Sequence, residues 1–424
     1  MTTTWQVTQL ENGLRVVTTP MPTAQSANVC IFAGVGSRME QRRTNGICHY
    51  LEHMLFKGSA KRPTALAISE AIEGAGGALN AFTNKEITGY WAHVPFDRLD
   101  LAADVLIDMV RNPLLDSAEI DRERTVVGQE IRRAHDQPGA WAAELLSRAC
   151  YGDQPLGWSI AGTEETVAVI QRQDFVDHMS AWYVPDNIVV SVAGNISHDQ
   201  VVALVRDRLG SLERRPAPSF QPATAGLPPE RIQAEARDID QSNLGIGLRA
   251  FARTDPDRFI LTILNSVLGR GMSSRLFKEV RERRGLAYSV GSSVSRHHDT
   301  GVLGISAGVS PQNLQEAAKV ILEEVFKLAA ELVPEDELTR ARDFTVGNFR
   351  LSLETTMALT QWTGENLVTT GEIEEIDDVV ASLQGVSAAD VQRVARRFLS
   401  RDNVAMALVG PQADADLLAK ALAP

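Results

Sequence analysis

The chain has 424 residues, 44% of them apolar and 23% charged, an ordinary globular composition with room for two or more domains. A net charge of −12 without any basic run argues against nucleic acid as a partner, and no apolar run reaches membrane-spanning length. Cys30, Cys48 and Cys150 lack metal-type spacing, and Met1-Thr2-Thr3-Thr4-Trp5 lacks the charged and apolar regions of a leader, so a reduced cytoplasmic protein is expected.

In chain order, residues 5–10 and 14–19 flank Glu11-Asn12-Gly13, a hairpin signal, and residues 28–32 read as a third strand ending at Ala33-Gly34-Val35-Gly36. Residues 45–58 read as a short helix: Thr44 or Asn45 can cap its start, Gly58 suits a left-handed C-cap, and Ile47, Leu51 and Leu55 form an apolar stripe. A helix over 65–75 is closed by Gly76-Gly77, and residues 79–83 and 88–94 alternate as strands. Helices over 96–110 and 117–134 follow, with Pro138 stopping the second. A helix over 174–183, a strand over 188–193 and a helix over 201–209 complete the first half. Pro216, Pro218, Pro222, Pro228 and Pro229 then mark residues 213–229 as a linker between a domain over 1–212 and one over 230–424.

The second half repeats the first. Pro185-Asp186-Asn187-Ile188 through Gly194 matches Arg401-Asp402-Asn403-Val404 through Gly410, and Asp174, Trp182 and Gln25-Ser26 fall on Asp390, Phe398 and Gln241-Ser242, all at an offset of 216. Glu119-Ile120-Asp121-Arg122-Glu123-Arg124 resembles Glu337-Leu338-Thr339-Arg340-Ala341-Arg342 at 218. The expected fold class is therefore α+β, an internally duplicated two-domain chain in which each half is a sheet packed with helices.

On the helix over 45–58, His49 and His53 lie one turn apart on one face, a spacing at which two imidazoles can bind one zinc ion. Glu52 shares that face but is too close in sequence to be an easy third ligand; it is better placed to hold a water against the metal, as in an H-x-x-E-H pattern. The plainer alternative is two exposed histidines beside an unrelated glutamate. Positions 49, 52 and 53 map to Asn265, Leu268 and Gly269 in the second copy, so the group exists only in the first. Zinc needs at least one more protein ligand. Glu123 and Glu130 lie seven apart on one face of the helix that opens at Asp116, and they map to Ala341 and Asn348. The surrounding Arg122, Arg124, Arg132 and Arg133 leave a solvated charged helix as the alternative there. Cys48 points away from His49 and reads as buried packing.

Three stretches together resemble the M16 metallopeptidases, the family of pitrilysin, insulin-degrading enzyme and mitochondrial processing peptidase. They are residues 46–58, the run Gly76-Gly77-Ala78-Leu79-Asn80-Ala81-Phe82-Thr83-Asn84-Lys85-Glu86-Ile87-Thr88, and residues 123–131. The second half adds Leu268-Gly269-Arg270-Gly271-Met272-Ser273-Ser274-Arg275-Leu276-Phe277 and Arg281-Glu282-Arg283-Arg284-Gly285-Leu286-Ala287-Tyr288-Ser289, which are also similar to that family. The similarity covers essentially the whole chain, and length and single duplication resemble the bacterial branch related to processing peptidases.

The resemblance implies His49, His53 and Glu130 as zinc ligands, Glu52 as catalytic base and Glu123 as the carboxylate that orients a ligand. It implies that Asn80 and Ala81 lie on an edge strand that takes the peptide in as an added strand, and that Arg281 and Tyr288 bind the substrate backbone. Zinc motif and Arg/Tyr motif sit in one chain, which points to a homodimer, with a heterodimer with a related subunit as the alternative; two such chains would enclose a chamber admitting unfolded peptides. Asp136 and Glu144, with the acidic net charge, point to cationic peptides. A non-catalytic assembly or chaperone-like subunit is the rival expectation, and retention of the whole zinc set stands against it.

Overall fold

A computed structural model describes residues 4–422; the reading of Met1, Thr2 and Thr3 as part of a leaderless start lies outside the described residues. The first half contains β1 (Gln6–Gln9), β2 (Arg15–Pro20), β3 (Ser26–Ala33), α1 (Ile47–Leu55), α2 (Ala65–Glu73), β4 (Ala78–Thr83), β5 (Thr88–Pro95), α3 (Leu99–Arg111), α4 (Ser117–Asp136), α5 (Pro138–Tyr151), α6 (Glu164–Val169), α7 (Arg172–Trp182), β6 (Ile188–Gly194) and α8 (His198–Leu209). The second contains β7 (Ile232–Ala236), β8 (Ser242–Ala250), α9 (Arg258–Gly269), β9 (Ala287–Arg296), β10 (Gly301–Val309), α10 (Leu314–Ala330), α11 (Glu335–Leu351), α12 (Thr356–Thr370), α13 (Ile376–Gln384), α14 (Ala388–Phe398), β11 (Val404–Gly410) and α15 (Ala415–Ala421). No regular element interrupts the Pro-rich stretch between α8 and β7.

The chain forms two compact units that do not follow the halves 1–212 and 230–424. One comprises residues 1–131, 159–221 and 351–374; the other comprises 132–158, 222–350 and 375–424. The exchanged segments carry equivalent helices. α5 belongs with the second sheet and α12 with the first, and they begin 218 residues apart, at Pro138 and Thr356. Pro138 therefore does more than end α4. It takes the first position of α5, where its missing N–H has no helical partner to lose.

The first unit is built on a six-stranded sheet in the order β1-β2-β6-β3-β5-β4, with β2 and β6 parallel and the other pairs antiparallel. The second has the order β7-β11-β8-β10-β9, again with one parallel pair, β7 with β11. Read side by side, the two orders match strand for strand except that β1 is added to the first. The offset is visible in the elements: β6 and β11 begin 216 residues apart at Ile188 and Val404, and α7 and α14 at Arg172 and Ala388.

Period-two patterning explains how the first sheet is covered on both faces. Val29 and Ile31 of β3 face a large core shared with Tyr50, Leu51, Met54 and Leu55 of α1 and Leu106 of α3. Cys30 and Phe32 face the other way, packing with Val17, Val189 and Leu367 of α12. All three cysteines are buried and unpaired, and among the described residues no helix is long and apolar enough to cross a membrane.

Candidate metal centre

The helix α1 is short, so most of its stability must come from its buried face rather than from its own hydrogen bonds. Ile47, Tyr50, Leu51, Met54 and Leu55 are buried, while His49, Glu52 and His53 lie on the partly open face. Burying the start of the helix leaves its first amides in need of acceptors, and neither Thr44 nor Asn45 supplies one. Gly46 occupies the cap with φ of 99°, and a Cβ there would meet the Ala161 carbonyl oxygen at 2.5 Å. The acceptor is Glu40, whose carboxylate takes hydrogen bonds from the Gly46 N–H at 2.7 Å, the Cys48 N–H at 2.8 Å and Asn45 Nδ2 at 2.7 Å. Burial pushes Glu40 up to about 7 in spite of these three donors. At the far end the helix closes on Phe56, in right-handed conformation, while Gly58 two residues later has φ of +144°.

His49 Nε2 and His53 Nε2 are 3.3 Å apart, and Glu130 Oε2, from α4, lies 3.5 Å from each. Among the described residues these three form the one group of His, Cys, Asp or Glu side chains whose ligand atoms come together as a metal site. A tetrahedral zinc site with bonds of about 2.0–2.2 Å has edges of about 3.3–3.6 Å, so the three atoms already stand at the corners such an ion requires. The Glu130 side chain is 45% exposed while those of His49 and His53 are 19% and 17% exposed, so the group is open on the carboxylate side.

The two imidazoles are held differently. His53 Nδ1–H donates to Glu123 Oε1 at 2.9 Å, and because a carboxylate only accepts, Nε2 keeps its lone pair for the cluster. The other oxygen of Glu123 is paired with Lys57 Nζ at 2.6 Å. His49 has no such tether: its Nδ1 is buried with no hydrogen-bond partner among the described residues. Burial and then the neighbouring His53 lower His49 to about 4, leaving a neutral imidazole able to ligate at physiological pH. For His53 burial acts in the same direction, but the hydrogen bond to Glu123 and the charges of Glu130, Glu123 and Glu52 outweigh it and raise its pKa. Burial would raise Glu123, yet hydrogen bonds from His53 and Lys57 outweigh it and hold Glu123 below its ordinary value, ionised.

Glu52 neighbours this group without belonging to it. Its Oε2 accepts a hydrogen bond from the Thr83 hydroxyl at 2.5 Å, and burial raises its pKa while that bond partly offsets the rise. Thr83 ends β4, the last strand in its sheet, which therefore leaves one backbone edge without a strand partner among the described residues. Asn80 and Ala81 lie in that strand, and Asn80 Oδ1 accepts from the Ala81 N–H at 2.8 Å.

Arg281 and Tyr288 lie in the other unit. Arg281 is in a widened helical turn, Phe277–Arg283, and Tyr288 is the second residue of β9, the edge strand of that sheet. The Arg281 guanidinium lies over the Tyr288 ring at 5.7 Å and over the Phe277 ring at 4.9 Å. Nearby Arg275, Arg283 and Arg284 each pair with a carboxylate, Glu337, Glu279 and Glu316. Arg281 stacks on rings instead, and Tyr288 is 80% exposed. Arg281 and Tyr288 are thus joined and presented to solvent. Asp136 is exposed at the end of α4, and Glu144 is half-buried on α5.

In the second copy the helix equivalent to α1 is α9, where Leu268 and Gly269 are buried and Asn265 accepts from the Ser292 hydroxyl at 2.6 Å. A Cβ at Gly269 would meet Ser292 Oγ at 2.3 Å, so this position is filled by packing where the first copy has a histidine. Sequence reasoning missed Glu40, Lys57 and Thr83. Only Thr83 carried a signal, since strand alternation puts it on the same side as Ala81.

Residues 15–164 match the model of the insulinase family, peptidase family M16, and residues 170–344 match that of the M16 inactive domain. An uncharacterized zinc protease of Streptomyces coelicolor is 38% identical over 413 residues, which are 96% of this chain and 90% of that protein. Another from Bacillus subtilis is 36% identical over 95% of this chain and 97% of its own. Among solved structures, a protease from Helicobacter pylori superposes with a TM-score of 0.89 at 23% identity, covering 97% of this chain and 100% of that one. A chain of Complex III2 from Candida albicans gives 0.84 at 19% identity, covering 99% and 100%. These structural likenesses establish the fold.

The tether on His53 yields a test. Glu123→Gln removes the charge that fixes the tautomer, and zinc affinity, read by chelator competition, is expected to fall about 10–100-fold with the circular dichroism spectrum unchanged. Unaltered affinity would show that Glu123 does not orient the ligand.

Proposed function

The chain belongs to the M16 family of peptidases, and from that premise we propose that it is a zinc endopeptidase acting on unfolded peptides. The observation that carries this reading is the set of separations of 3.3, 3.5 and 3.5 Å among His49, His53 and Glu130, which fits tetrahedral zinc. When bound, zinc supplies a Lewis acid and lowers the pKa of water. Glu52, beside the ligands but tied to Thr83, takes the water proton and later delivers it to the leaving amine. The peptide joins the free edge of β4 as an added strand. Its carbonyl replaces Asn80 Oδ1 on the Ala81 N–H, and the freed carboxamide then bonds the peptide in turn. Arg281 and Tyr288, stacked and exposed, offer a guanidinium and a phenol to the substrate backbone and to the developing oxyanion.

The two residue sets lie in different units, and the family resemblance leads us to read the working enzyme as a homodimer with zinc from one chain and Arg281 with Tyr288 from the other. Two such chains enclose a chamber, which excludes folded substrates. Three buried thiols fit a reducing, cytoplasmic setting. The rival reading, a non-catalytic assembly subunit, draws on the likeness to a Complex III2 chain. The intact group of His49, Glu52, His53 and Glu130 favours catalysis.

Three outcomes test this reading. Glu52→Gln is expected to abolish cleavage of a quenched fluorescent peptide while one zinc per chain remains, and Glu130→Gln to weaken zinc binding. Loss of zinc from Glu52→Gln, or full zinc and activity in Glu130→Gln, would overturn the assignments. For the shared site, Glu52→Gln and Arg281→Ala, each inactive alone, should recover about a quarter of wild-type activity after subunit exchange, because half the dimers are mixed and each holds one intact site. No recovery, with exchange confirmed by mass labelling, rules sharing out. Finally, the net charge of −12 with Asp136 and Glu144 favours peptides bearing Arg over Glu near the scissile bond. That preference should fade toward 1 M salt, where the screening length falls to about 3 Å; equal rates at low salt would exclude it.

A further inference from the structure

The hydroxyl that holds Glu52 comes from the strand on which the substrate is read to bind. Along β4, Leu79 and Ala81 turn toward the core beneath α1, while Phe82 turns to the other face, where its ring meets Phe32 edge-on at 6.2 Å. Alternation therefore aims Thr83 at α1, and its Oγ1 reaches Glu52 Oε2 at 2.5 Å. A threonine hydroxyl has one proton to donate, and here it is committed to one carboxylate oxygen. The other oxygen, Oε1, stays available.

This tie answers a geometric difficulty. Glu52 sits between the two histidines in sequence, on the same short helix, and its side chain has several rotatable bonds. A free carboxylate in that place has two competing positions. It can act as a base beside the cluster, or it can swing in and become a ligand, which removes the base and closes the site. The His49, His53 and Glu130 group forms without Glu52, whose carboxylate is turned to Thr83.

We propose that Thr83 is a positioning residue: its hydroxyl, carried on the edge strand that receives the peptide, holds Glu52 out of the metal coordination sphere and leaves one carboxylate oxygen to accept the proton. Seating the peptide and aiming the base then depend on one piece of backbone. The inference rests on the peptidase reading above.

The test uses the full chain loaded with zinc. Thr83→Val keeps the shape and removes the hydroxyl, Thr83→Ser keeps the hydroxyl, and Thr83→Ala removes the hydroxyl without adding a methyl group to a polar site. Val and Ala are expected to lower kcat about 10–100-fold with KM within about twofold, and Ser to keep at least about a third of the wild-type rate. Zinc affinity by chelator competition supplies a second readout. Thr83→Val should bind zinc several-fold more tightly than wild type, because Glu52 is released to ligate, and that gain should vanish when Glu52→Gln is also present. A kcat within about twofold of wild type in Val and Ala overturns the proposal. So does a Ser variant as slow as Val, or a change in zinc affinity that persists without Glu52. If zinc-loaded wild type cleaves no peptide, the peptidase reading fails, and the affinity cycle still decides whether Thr83 restrains Glu52.

Discussion

Two imidazole nitrogens 3.3 Å apart, each 3.5 Å from one carboxylate oxygen, make up the contact around which the neighbouring residues of the first unit are arranged. Atoms this rich in lone pairs stay together only with a cation or a shared proton between them, and the fold holds them in place. It does so through neighbours rather than through the ligands. The apolar face of α1 is anchored in the core, the first amides of the helix are gathered by Glu40, and His53 is fixed by a carboxylate that Lys57 neutralises. The Glu40 and Glu123 tethers satisfy polar groups that burial would otherwise leave unpaired.

The duplication gives two units of one architecture with different side chains at equivalent places. Both units use the same strand order, and each takes one helix from the other half of the chain. In the first unit the helix after the third strand presents His49, Glu52 and His53. In the second the equivalent helix presents Asn265, Leu268 and Gly269 and packs closely against β9. The second unit instead exposes Arg281 and Tyr288 beside its sheet edge. A sheet edge thus lies near the distinctive residues of each unit, β4 in one and β9 in the other.

Much of this was legible in the sequence because it follows from local periodicity and from the repeat. The hairpin at Glu11-Asn12-Gly13, the alternation of β4 and β5 and the one-turn spacing of His49 and His53 depend on residues close in the chain. Glu123 and Glu130 could be put on one face of a helix, but their separate partners, His53 for one and the two-histidine group for the other, depend on how α4 crosses α1. Glu40 was invisible for a related reason. It caps a helix from six residues before Gly46 after the chain doubles back, and short-range capping rules look only to the residue just before the helix. The helix α5 was missed because Pro138 was read as a stop, when a proline just after one helix is equally suited to begin the next. The exchange of α5 and α12 is a property of three-dimensional packing that no linear pattern carries.

The central claim, that two histidines and Glu130 hold one zinc ion, is tested most directly by X-ray absorption at the zinc edge on the metal-loaded full chain. The account predicts one zinc per chain in four-coordinate geometry, with two imidazole nitrogens and oxygen ligands at about 2.0–2.2 Å and no sulfur. A sulfur shell at about 2.3 Å, which would bring Cys48 into the site, or a single imidazole in place of two, would contradict it.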